Sequence, residues 1–147
     1  METMNKNLMA KASVRIHAPV SKVWDALTNP ELIKKYFFGT VVVSKWKVGS
    51  PIVFRGEWDG KPYEDKGTIL DFAPNKLFRY NYWSSIGGTP DRPENYATIT
   101  NQLWEENGVT VLSITQDKIE SEERKNHSEQ NWEMVLTAMK DMIEKTT

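Results

Sequence analysis

A chain of 147 residues with 19 basic and 20 acidic side chains, a formal net charge of −1 and no cysteine has the length of one domain, able to bury a core without disulfides or metal. The missing thiols exclude a disulfide scaffold, thiolate zinc sites and cysteine nucleophiles, and balanced charge with no block of one sign argues against a nucleic-acid or anionic-membrane partner. The opening METMNKNLMA lacks the apolar run of a signal peptide and no later stretch is apolar enough to span a bilayer, so the expected location is the cytoplasm.

In chain order, the first predicted element is a half-buried strand over 8–17. Leu8, Ala10, Ala12, Val14 and Ile16 alternate there with Met9, Lys11, Ser13, Arg15 and His17, and a period of two sends neighbours to opposite faces. Pro19 ends it, and Val20, Val23, Trp24 and Leu27 fall at helical spacing. Asn29-Pro30-Glu31 stops that helix and starts another, with Asn29 as cap, Pro30 at the first helical position and Glu31 favourable to the dipole. Leu32, Ile33, Tyr36 and Phe37 form its apolar face, and Gly39 closes it.

Residues 40–116 carry the signals of an antiparallel meander. Ile52, Phe54 and Trp58 lie on one side of a strand, and Asp59-Gly60 marks a tight hairpin. A strand over about 63–72 follows, then a turn at Pro74-Asn75, then LFRYNYW, in which Phe78, Tyr80 and Tyr82 share one face. The segment 84–93, SSIGGTPDRP, is the longest loop, with Ile86 its only apolar anchor and Gly87-Gly88 as a flexible pair; it is expected to border an opening. A last hairpin over 96–104 and 109–116 turns at Glu105-Glu106-Asn107-Gly108. The C-terminus is helical, with Trp132, Val135, Leu136, Met139, Met142 and Ile143 on one stripe. Strand, two short helices, about six further strands and one long helix make an α+β architecture, expected as one domain over 1–147.

Three segments carry a resemblance: IHAPVSKVWDALTNPELIKKYF, VGSPIVFRGEWDGKPYEDKGTILDFAPNKLFRYNYW and NWEMVLTAMKDMIE. With Ala-Pro before Val-Trp, Asn-Pro-Glu, and a tryptophan near the last helix, the chain resembles over about 10–145 the small bacterial proteins related to the activator of the heat-shock-protein-ninety ATPase. That family lies in the START-like, birch-pollen-allergen-like superfamily. The resemblance implies a helix-grip fold, a curved antiparallel sheet of six or seven strands around the C-terminal helix, with an internal cavity between the two.

Whether the aromatic face is a filled core or the wall of a pocket is decided by its polar residues. Asn101 lies between Ile99 and Leu103 on one strand face, and Gln116 continues the face of Leu112 and Ile114. A buried amide must bond to protein, water or ligand; these two pair with each other or with Tyr80 and Tyr82, or they serve a ligand. In the last helix, 120–131 holds no apolar side chain, and the stripe extended backwards meets Ser128, Asn131 and Arg124. That half is either a frayed, solvated turn or the cover of a pocket mouth. The candidate ligand-binding residues are Phe54, Trp58, Phe78, Tyr80, Tyr82, Asn101, Gln116, Trp132 and Met139.

Catalytic chemistry is sparse. His17 falls on the outward face of the first strand, and His127 has only Glu123 and Glu129 near it at metal-ligand spacing, so neither a metal nor a cofactor is expected. No nucleophile elbow, phosphate loop or zinc motif occurs. The reading this favours is a module binding a small, largely hydrophobic molecule. The resemblance implies two alternatives: a chaperone partner, and a cyclase- or aromatase-like enzyme working in the cavity.

Overall fold

Residues 8–85 and 88–145 are described by the computed structural model, apart from the Trp58 side chain. In chain order the elements are β1 (Leu8–Ile16), α1 (Val20–Thr28), α2 (Pro30–Tyr36), β2 (Val41–Ser44), β3 (Pro51–Trp58), β4 (Lys61–Ala73), β5 (Leu77–Tyr82), β6 (Ala97–Glu106), β7 (Val109–Ile119) and α3 (Glu122–Lys145). The seven strands form one antiparallel sheet in the order β1-β7-β6-β5-β4-β3-β2. This is the helix-grip arrangement, with both short helices between β1 and β2.

Local chemistry explains most of the boundaries. Asn29 accepts a hydrogen bond from the Glu31 amide at 3.0 Å and so caps α2. Asp59 and Gly60 both take positive φ (53° and 77°), as do Asn107 and Gly108 (52° and 82°). Two successive left-handed residues match the twist of the flanking strands, which sets the β3–β4 and β6–β7 registers. Between β4 and β5 the pairing shifts between Ile69 and Asp71, and the Asn81 side chain accepts from the Thr68 amide at 2.7 Å. A Cβ on Gly67 would lie 1.7 Å from the Asn81 carbonyl oxygen, so the two backbones approach there as only glycine permits.

The core fills the face of the sheet that α3 covers. Ile16, Ile52, Ile69, Ile99, Leu112, Leu136 and Met139 are almost wholly buried. Helix α3 is continuous from Glu122, which overturns the frayed-turn expectation for 120–131. Ser121 accepts from the Arg124 amide at 3.2 Å and caps the helix, and Lys125 pairs with Glu129 one turn on. The same Glu129 accepts from the Lys11 amide of β1 at 2.9 Å. Near the other end, Glu144 accepts from the His17 amide at 2.9 Å, and Lys140 donates to the Arg15 carbonyl at 2.6 Å. These bonds hold both carboxyls below the usual carboxylate range, the backbone amide being the largest cause in each.

Gly67→Ala is expected to destabilise the fold by about 3 kcal/mol, the upper part of the range for forced overpacking, because backbone cannot swing aside as a flexible side chain can. Urea unfolding checks this, and a loss below about 1 kcal/mol would show that β4 and β5 separate freely at this point.

Candidate functional site

Strand β5 passes from packed core to open wall within five residues. Phe78 is buried in an aromatic cluster, 5.8 Å from Phe72, 5.9 Å from Trp46 and 6.4 Å from Trp24 between ring centroids. Tyr80 is buried beside Phe54 at 5.6 Å. Tyr82, half-buried, stands edge-on to Phe54 at 5.5 Å. Phe78 belongs to the core, and Tyr80 and Tyr82 face a void.

That void is a cavity of about 440 Å³ between the sheet and the first half of α3. Of the residues expected at the site, it gathers Phe54, Tyr80, Tyr82, Gln116 and Trp132. Behind it lies a smaller space of about 40 Å³, walled by Phe78, Asn101 and Met139 and sharing Phe54, Tyr80 and Trp132 with the larger one. Phe78, Asn101 and Met139 line only this inner space. The side chain of Trp58 lies outside the described residues.

The buried Asn101 amide and the half-buried Gln116 amide do not pair with each other. Gln116 accepts from the Trp132 indole at 2.9 Å, which fixes the ring that divides the two spaces. Asn101 donates to the Phe78 carbonyl at 3.2 Å, while its own oxygen is buried without a partner.

Several wall residues escape the sequence reading. Asp65, only 5% exposed, accepts from the Tyr82 hydroxyl and from the Ser85 amide and hydroxyl at 2.8 and 3.2 Å. On the inner face of β4 it follows Ile69 and Gly67 backwards by twos; that periodicity was its one available signal. Thr40 and Tyr63 share a hydroxyl bond of 2.6 Å. Phe37 and Phe38 come from the end of α2, where Phe37 meets Trp132 at 6.0 Å. His127, Ser128 and Asn131 of α3 complete the wall, so the apolar-free half of the helix does cover a pocket mouth.

The loop expected to border an opening is braced in its described part. Besides the Ser85 bonds, the Trp83 indole donates to the Thr89 carbonyl at 3.2 Å, and Asp91 pairs with Lys66 at 2.6 Å. Ile86 and Gly87 lie outside the described residues.

Burial, then the Asp65 charge, pushes the Tyr82 hydroxyl far above its ordinary value of 10.0, and burial alone does the same to Tyr80. Among the described residues no three His, Asp or Glu side chains gather as a metal site would require, and no helix is long and apolar enough to cross a membrane.

Residues 17–144 match the family described as Activator of Hsp90 ATPase homolog 1-like protein. Among solved structures, the chain is similar to a Cytophaga hutchinsonii protein at 47% identity, over 97% of this chain and 98% of that one, with a TM-score of 0.85. It is also similar to a Mesorhizobium loti protein at 19% identity, over 95% and 99% of the two chains, with a TM-score of 0.78. The Aha1 dimer from Colwellia psychrerythraea is similar at 20% identity, over 93% and 96%, with a TM-score of 0.73. At the last two identities the likeness shows the fold alone. Comparison with curated proteins finds no match.

Two outcomes are expected from this geometry. Trp132→Ala should destabilise the fold by about 3 kcal/mol, the lower end for removing a packed aromatic, because the ring is half-buried and also satisfies Gln116; an unchanged urea midpoint would show that it packs against nothing. The second concerns alkaline pH. Tyr36, Tyr80 and Tyr82 keep their protons when folded beyond the point, near 10.0, at which an unfolded tyrosine loses its own. Their contribution to stability is therefore complete below about pH 10 and declines as pH rises above it. In an absorbance titration these three should ionise only as the chain unfolds, and full reversible ionisation of all five tyrosines in the folded state would contradict it.

Proposed function

The chain belongs to the Activator of Hsp90 ATPase homolog 1-like family, and on that premise, together with the geometry above, we propose that it binds a small, largely hydrophobic molecule in the cavity between sheet and α3. One observation carries the reading: a space of about 440 Å³ is walled by mostly apolar surface, much of it aromatic, on which polar side chains converge from the sheet and from α3. This is the composition of a small-molecule site, where apolar area supplies affinity and a few polar atoms set orientation. Phe54, Tyr80, Tyr82 and Trp132 form the apolar wall; Asp65, Gln116, His127, Ser128 and Asn131 are its polar members. The volume suits a ligand of one to three rings. Tyr82 and Asp65 are already bonded to one another, and among the described residues no nucleophile with a base and an orienting partner lines the cavity, so binding accounts for the site better than catalysis does.

Ser128→Trp tests the proposal, because Ser128 faces the cavity from the polar half of α3 and an indole there fills the space without displacing a core residue. Uptake of an environment-sensitive hydrophobic dye should fall at least roughly tenfold, the scale of about 1.4 kcal/mol of lost binding, while the urea midpoint stays level or rises. Undiminished uptake would place the dye elsewhere and sink the assignment. Native mass spectrometry of protein purified from its own host gives a second readout, in which a bound small molecule names the ligand class.

A further inference from the structure

The inner space carries more information than its size suggests. Asn101, 2% exposed, donates to the Phe78 carbonyl. Turning the amide over would set its oxygen against that carbonyl oxygen, so the orientation is dictated by its partner. The side-chain oxygen is left buried with no hydrogen bond. Tyr80 shares the wall, and its hydroxyl makes no hydrogen bond to any described residue. A buried polar atom without a partner is rare in folded chains and calls for a water or a ligand atom. At about 40 Å³ the space exceeds the ~10–15 Å³ that one water needs, and it adjoins the larger cavity across Tyr80, Phe54 and Trp132.

The chemistry of the missing group follows. It must donate, because the Asn101 oxygen only accepts; a carboxylate there would face it with repulsion. It must be neutral, because among the described residues no acidic side chain lines the inner space and a desolvated ammonium would be left uncompensated. The group must also be small, and the body behind it flat and apolar, to lie among Phe54, Tyr80 and Trp132. We infer that the cavity takes an aromatic ligand bearing a hydroxyl at its inner end, the hydroxyl donating to Asn101 Oδ1 and accepting from the Tyr80 hydroxyl. This rests on the ligand-binding reading above and adds to it the end of the molecule that is recognised.

Naphthol, naphthalene and methoxynaphthalene, titrated separately and followed by amide NMR shifts, distinguish the possibilities. Naphthol should bind roughly tenfold more tightly than its methyl ether, the worth of one well-placed buried hydrogen bond. Asn101→Leu should erase that preference, and Tyr80→Phe should reduce it. Equal affinities for naphthol and the ether in the native protein overturn the inference alone and leave the cavity reading standing; that comparison needs no variant to fold. A preference that survives in Asn101→Leu also overturns it. If none of the three binds, the ligand-binding reading fails and this inference with it.

Discussion

Two carboxylates on one helix hold the molecule in its shape. Glu129 and Glu144 accept backbone amides at Lys11 of β1 and at His17, the residue after that strand. The fifteen residues between the glutamates span about 22 Å of helix, and the six between the amides about 20 Å of strand. Helix and strand therefore run side by side in the same direction, fastened at both ends. The bonds also occupy donors that an edge strand would otherwise offer to another chain. More consequentially, the Glu129 bond keeps the first half of α3 over the sheet although that half has no apolar stripe with which to pack there. Apolar burial alone would let that half peel away into water, whereas edge bonding holds it over a space that it does not fill. The cavity is the result.

Within that frame the aromatic face grades from filled to empty. At the α1 end, Trp24, Phe72 and Phe78 meet edge to face, the arrangement their quadrupoles prefer, and Trp46 lies tilted against Phe72 and Phe78. Towards Tyr82 the sheet rings line one wall of the cavity, and the polar helix residues His127, Ser128 and Asn131 join Trp132 on the other. The polar atoms on this side are handled differently from one another. Asp65 has three donors and Gln116 has the Trp132 indole, so both are settled within the chain. The Asn101 oxygen is not.

The parts of this architecture legible in the sequence are those that depend on neighbours along the chain. Alternation in β1, the Asn29 cap, the left-handed pairs at Asp59-Gly60 and Asn107-Gly108, and the Trp132-to-Ile143 stripe each need only a few adjacent residues to declare themselves. What stayed hidden depends on distant partners. The helix over 122–131 draws on a local cap, but also on a strand more than a hundred positions away, so local pattern could not tell a cover from a frayed end. Asp65 looks like an ordinary surface acid until the β4–β5 pairing turns it inward beside Tyr82. Gln116 and Asn101 stood out as polar intrusions, yet which of them remains unpartnered depends on where Trp132 comes to rest.

The strand order also has a consequence for how the chain assembles. From β2 to β7 every neighbour in the sheet is the next strand in sequence, so that part can grow by short hairpin closures with little loop entropy to overcome. Only β1 pairs with a strand from the far end of the chain, Ala10 lying opposite Gln116. Closing that loop is the slow kind of contact. β1 and the residue after it also supply the amides that fasten α3, so the two terminal elements depend on each other and dock as a pair. Until they do, the aromatic face of the meander stands open to solvent, so the contact that closes the longest loop is also the one that turns an exposed apolar surface into an enclosed chamber.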